Sequence, residues 1–126
     1  MLSDKVVTTT LPTINLEAAR EFYGEKLGLN ITNMNKPEDA FVCECGGGTR
    51  MYIYERPTPS KADHTQASFA VGDIEKEMEE LRSRGVLFEE YDMPGLKTIN
   101  GIATMGESKS AWFKDPDGNI LALTQM

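Results

Sequence analysis

Ala111-Trp112-Phe113-Lys114-Asp115-Pro116-Asp117-Gly118-Asn119 reads as the end of one strand, a tight turn and the start of another. Aromatic residues favour a pleated surface, and Asp-Pro-Asp-Gly presets the φ values of a reversal. The chain then continues as a strand through Thr124. Working back, Gln66 to Val71 is strand-like and Asp73 offers an N-cap. Ile74, Met78 and Leu81 follow at helical spacing, Gly85 supplies the stop, and Val86 to Tyr91 reads as the next strand. The second half is thus predicted as β-α-β-β-β.

The first half repeats the pattern. Lys5 to Leu11 is rich in β-branched residues and is expected to be a strand halted by Pro12. Asn15 caps a helix carrying Leu16, Ala19, Phe22, Tyr23 and Leu27 on one face, and Gly28 ends it. Strand-like runs follow at about Asn30 to Asn35, Phe41 to Cys45 and Arg50 to Tyr54. Gly46-Gly47-Gly48 joins the last two as a hairpin. Nothing after it begins a helix, so it is not a phosphate cradle. The offset between Asn15 and Asp73 also relates Leu16 to Ile74, Glu17 to Glu75 and Tyr23 to Leu81. Residues 1–58 and 64–126 are therefore two modules of a single domain, joined by a Pro- and Ser-containing crossing from Glu55 to Asp63.

A chain of 126 residues buries roughly two-thirds of its unfolded surface, enough for a core without staples. Thirteen basic against 20 acidic residues give a net charge of −7, which repels a phosphate backbone, so nucleic acid is not an expected partner. No run approaches a membrane span and no leader is visible, so the expectation is a cytoplasmic protein without a membrane partner. Cys43 and Cys45 share one strand face, cannot readily bridge each other, and lack a second Cys/His pair for zinc.

Leu11-Pro12-Thr13-Ile14-Asn15-Leu16, with Phe22-Tyr23 and Leu27-Gly28-Leu29, resembles the first-helix signature of the glyoxalase/bleomycin-resistance/dioxygenase (vicinal-oxygen-chelate) superfamily. Phe69-Ala70-Val71-Gly72-Asp73-Ile74 is similar to its fifth strand and second helix, and residues 111–119 to its penultimate strand and turn. The resemblance implies an α+β fold of two βαβββ modules, eight strands curling into an incomplete barrel around a cleft, and a homodimer. Alternation then places Thr8, Thr10, Gln66, Ser68, Ile120, Ala122 and Thr124 toward the cleft, with Leu11, Phe69, Leu121 and Leu123 toward the helices. Met51 and Ile53 would pack on the helix, leaving Tyr52 inward, joined there by Trp112.

Enzymes of the superfamily hold a divalent metal with His or Glu on the first, fourth, fifth and eighth strands. The resemblance maps those positions to Thr8, Tyr52, Gln66 and Ala122. None is a good ligand, so no metal and no other cofactor is expected. The sole histidine, His64, stands two residues before Gln66, and Glu44 and Glu55 lie at strand ends; one imidazole is too few for a two-His, one-carboxylate site. A thiolate at Cys43 or Cys45 paired with His64 would need electropositive surroundings that this acidic sequence lacks. Tyr52, Tyr91, Asp92 and Lys97 could in principle serve as acid-base groups near the cleft, but the favoured reading is that they are rim residues.

The halves differ mainly between Met93 and Lys109. Gly95, Gly101 and Gly106 alternate there with apolar Leu96, Ile99, Ile102 and Met105, beside Lys97. Such an insertion is expected to be a flap over the cleft. The leading expectation is a metal-independent protein that binds a small molecule, aromatic or cationic, in that cleft. A lyase, isomerase or dioxygenase-type enzyme with a metal or other cofactor is the alternative, and an interaction module a third.

Overall fold

The computed structural model describes residues 1–33 and 39–126 and divides them into two compact units, Met1–Pro59 and Ser60–Met126. The second predicted strand run, Asn30 to Asn35, therefore ends partly outside the described residues.

In the first unit, β1 (Thr9–Thr13) is followed by α1 (Leu16–Arg20), which passes without a break into a π-helical segment, Glu21–Lys26. The Asn15 side chain caps α1 by accepting from the Ala18 N–H at 3.1 Å. Gly28, at φ 72, lets the chain reverse into β2 (Asn30–Asn33). β3 (Ala40–Glu44) and β4 (Arg50–Glu55) flank the glycine turn. They form one sheet in the order β1-β4-β3-β2, with β1 parallel to β4 and the other pairs antiparallel. Leu11, Phe41, Cys43, Met51 and Ile53 bury one side of this sheet, together with Ala19, Phe22 and Tyr23 of the helical segment.

The expected first strand shifts. Residues 5–8 are not paired, and Pro12 lies within β1 instead of stopping it. Within its sheet β1 is the edge strand, paired among the described residues with β4 alone, so a residue without an N–H is tolerated there.

The second unit repeats the plan with β5 (Thr65–Ala70), α2 (Ile74–Ser83), β9 (Ser108–Lys114) and β10 (Ile120–Gln125). Asp73 caps α2 through the Lys76 N–H at 3.2 Å. Ile74, Met78 and Leu81 are buried, as are Ala111, Phe113, Leu121 and Leu123 on β9 and β10. The sheet order is β5-β10-β9-β8, where β8 is Ala103–Met105. Two four-stranded sheets, each with its helix, thus make the predicted pair of modules.

One expected strand is not continuous. Val86 to Tyr91 makes a single bridge, Phe88 to Phe113, plus the bond from the Glu89 N–H to the Trp112 carbonyl at 2.8 Å. The same edge of β9 is completed further on by β8. Between them, β6 (Asp92–Met93) and β7 (Leu96–Lys97) form one hairpin, and Ile99 and Ile102 bridge around Asn100-Gly101 to form another. The insertion is therefore an excursion that leaves an edge position and returns to it, because β9 offers that edge only one row of partners.

Candidate functional site

Each sheet has a helix-facing side and an opposite side, and the candidate residues Thr10, Tyr52, Ser68, Trp112 and Ala122 fall on the opposite sides. In the first unit, Thr10, Tyr52 and Val42 stand abreast on β1, β4 and β3. Two residues along β4, Tyr54 projects the same way as Tyr52, and the two rings stack with centroids 6.2 Å apart and planes 28° apart. Thr8 precedes β1 and is exposed, outside the ladder that would aim it.

In the second unit, Ser68, Ala122 and Trp112 stand abreast on β5, β10 and β9. The indole Nε1 of Trp112 donates to Thr65 Oγ1 at 3.0 Å. Thr65 is on β5 and pairs with Ile120, so the ring crosses β10 to reach it. Adjacent strands are about 4.8 Å apart, which only a side chain of this length can span twice. Ala122, the β10 residue opposite Trp112, is 3% exposed; a longer side chain at this position is expected to meet the indole. The Tyr91 ring stands edge-on to Trp112 with centroids 5.6 Å apart, and Ser68 and Thr124 share a hydroxyl hydrogen bond of 2.9 Å.

Thr65 reaches this side because of a β-bulge. Ile120 pairs with Thr65 and Leu121 with Ala67, leaving Gln66 as the extra residue. Gln66 uses both ends of its amide: Oε1 accepts from the Ile120 N–H at 3.1 Å, and Nε2 donates to Asn119 Oδ1 at 3.2 Å. Asn119 is fully buried and donates in turn to Asp115, from its N–H at 2.9 Å and its Nδ2 at 2.7 Å. Gln66 is thus tied into the Asp115–Asn119 turn. Uniform alternation along Gln66 to Val71 had no way to show the bulge, and so missed Thr65.

The remaining candidates are not brought into a cluster. His64 is exposed at the bend before β5. Glu44 is engaged by Arg50 at 3.1 Å, and Glu55 is exposed at the end of β4. Cys43 is buried, and burial, reinforced by the neighbouring Cys45, pushes its thiol up to about 12; Cys45 is also raised, by burial and then by Glu44. Neither is a poised nucleophile at neutral pH. Among the described residues no three His, Cys, Asp or Glu side chains group to hold a metal ion. The donor set at Thr8, Tyr52, Gln66 and Ala122 does not fit one either, being two hydroxyls, a committed amide and a covered methyl.

The flap residues belong to the excursion. Leu96 and Lys97 form β7, Ile102 closes the second hairpin, and Met105 ends β8. The excursion is held by a residue that sequence reasoning passed over. Glu90 Oε1 accepts from Thr98 Oγ1 at 2.7 Å and from the Gly101 N–H at 2.6 Å. The Asn100-Gly101 dipeptide, both residues at positive φ (52 and 81), was the legible signal for a two-residue turn here.

A family profile described as Glyoxalase/Bleomycin resistance protein/Dioxygenase superfamily matches residues 5–123. This chain belongs to that superfamily. The glyoxalase-superfamily fold is shared with solved structures of low identity. TnmS3, an antibiotic binding protein from Streptomyces, superposes with a TM-score of 0.72 at 21% identity, covering 97% of each chain. A lactoylglutathione lyase from Agrobacterium tumefaciens gives 0.71 at 18%, covering 97% of this chain and 93% of that one. A superfamily protein from Alicyclobacillus acidocaldarius gives 0.73 at 15%, covering 97% and 91%. No curated protein matches the sequence significantly. Among the described residues of this superfamily member, no helix is long and apolar enough to cross a membrane.

Proposed function

We propose that this superfamily member is a metal-independent small-molecule-binding protein, its ligand held in the family's cleft against aromatic side chains. The observation that carries the reading is the Trp112 indole spanning β10 to Thr65 over Ala122. It puts a flat apolar surface where an enzyme of the superfamily would project a metal ligand. The stacked Tyr52 and Tyr54 provide a second flat surface. Aromatic faces and a net charge of −7 suit a planar, cationic ligand. An antibiotic-binding protein among the structural neighbours is consistent with this. The proposal includes one domain built from both units, a cytoplasmic location and a homodimer, the last checked by light scattering.

The test is a thermal-shift and fluorescence screen of the purified protein against planar aromatic antibiotics, small oxoacids and divalent metals. A planar cation is expected to raise the melting temperature and quench Trp112, because a ligand that binds only the folded state stabilises it. Metal ions are expected to do neither. About one tightly held metal per chain in elemental analysis overturns the proposal and favours a lyase, isomerase or dioxygenase.

A further inference from the structure

A groove of about 530 Å³ lies on the helix side of the second unit, between α2 and the 92–105 excursion. It is remote in chemistry from the aromatic rows. Lys97, Lys109 and Arg82 line it against one carboxylate, Glu75, while Met78, Ile99 and Ile102 line its apolar part. Three cations against one anion is a local reversal in a chain of net charge −7. Glu75 meets Lys109 at 3.5 Å, and Arg82 donates to the Asn100 carbonyl at 3.0 Å while lying over Phe88. Lys97, exposed on β7, has no ion pair among the described residues.

The wall of the groove is built, not draped. Gly101 sits at φ 81, and a Cβ there would meet Met78 Cε at 3.0 Å and Arg82 Nη2 at 3.2 Å. The turn is therefore pressed on α2 as closely as a glycine permits, and Glu90 holds it from behind. Ile99, at the edge of this turn, remains 70% exposed. Such an exposed apolar group beside the exposed ammonium of Lys97 favours a ligand with both characters.

We propose that this groove binds a small amphipathic anion, its acidic headgroup on Lys97 and Lys109 and its apolar body on Ile99 and Ile102. The site is separate from the aromatic rows and can be occupied whether or not they bind a ligand.

The experiment titrates sodium decanoate into the isotope-labelled full chain and follows backbone amide shifts by NMR. Saturable shifts at Asn100, Gly101 and Thr104 are expected, weakening as salt is added. Inorganic phosphate, which lacks the body, and decyltrimethylammonium, which reverses the charge, are expected to bind these amides at least about tenfold more weakly. The Lys97→Ala/Lys109→Ala double variant should lose a similar factor, and Lys97→Arg/Lys109→Arg should retain binding. Should the double alanine variant fold poorly, Lys97→Glu alone serves, since no ion pair among the described residues depends on Lys97. Equal binding of the cationic probe, phosphate binding as tightly as decanoate, or shifts confined to Trp112, Ser68 and Tyr52 would each overturn the proposal. None of these outcomes bears on metal content or on Trp112 quenching by a planar cation, so the two proposals fail separately.

Discussion

The indole N–H of Trp112 on β9 is hydrogen-bonded to the hydroxyl of Thr65 on β5, two strands away, at 3.0 Å. That single bond orients the ring over Ala122 and depends on the bulge at Gln66. Thr65→Val keeps the side-chain shape and removes the acceptor. Because the indole is only half-buried, the stability loss should be small, about 0.5–1 kcal/mol. The sharper readout is Trp112, the only tryptophan, whose emission should shift to the red and become easier to quench with iodide. Emission unchanged from the parent would contradict the assigned position of the ring.

Ala122→Glu would put a carboxylate where the indole crosses β10. We expect destabilisation of about 1–3 kcal/mol in urea unfolding, from desolvation and overpacking together. Adding Trp112→Ala should recover part of that loss, since the second change opens the space the first needs. Strict additivity of the two changes would show that the side chains do not meet.

Glu90→Ala removes the acceptor shared by Thr98 and the Gly101 N–H. Amides 98–102 should exchange faster by hydrogen exchange while those of α2 and β10 keep their protection, with a global cost of about 1–3 kcal/mol. Gly101→Ala should cost at least as much, since it combines a left-handed φ with contacts at 3.0 Å to Met78. Equal protection of this turn in the Glu90 variant would contradict the clamp.

Cys43 sets an alkaline limit. Its thiol is raised from 9.0 to about 12, mainly by burial. The folded state therefore holds this proton more tightly than the unfolded chain. The associated stability is complete below pH 9 and is lost as the pH rises from there toward 12. The unfolding free energy from urea titration should be flat for this group at neutral pH and fall above pH 9, at up to about 1.4 kcal/mol per pH unit. Cys43→Ala should flatten that fall. In the parent, labelling of Cys43 by a thiol reagent near pH 8 should be slow and should follow unfolding.

Much of this protein was legible in one dimension. Asn15 and Asp73 announced the two helix starts, because a short acceptor side chain before an amphipathic run satisfies free N–H groups. Period-two alternation placed Leu11, Met51 and Ile53 on the buried side of their sheet. Asp-Pro-Asp-Gly and the glycine triplet marked the turns, and the order of these local signals carried the family. All are interactions between residues close in the chain, which is why spacing alone reveals them.

What the tertiary structure decided involves residues far apart. Pro12 is inside a strand only because β1 ended at an edge of its sheet. The Val86 to Tyr91 run lost its ladder because β8, arriving after the excursion, takes up the same edge of β9. Thr65 joined Trp112 through a bulge defined by pairing with β10, and Gln66 was drawn to Asn119 by the same displacement. Glu90, Arg82 and Lys109 carried no signal of their own in the sequence, and only folding set them around the Asn100-Gly101 turn and its groove. Alternation tells which side of a strand a residue takes, but partner, edge and register are settled by chain closure over many residues, and the side chains that could bind a ligand depend on all three.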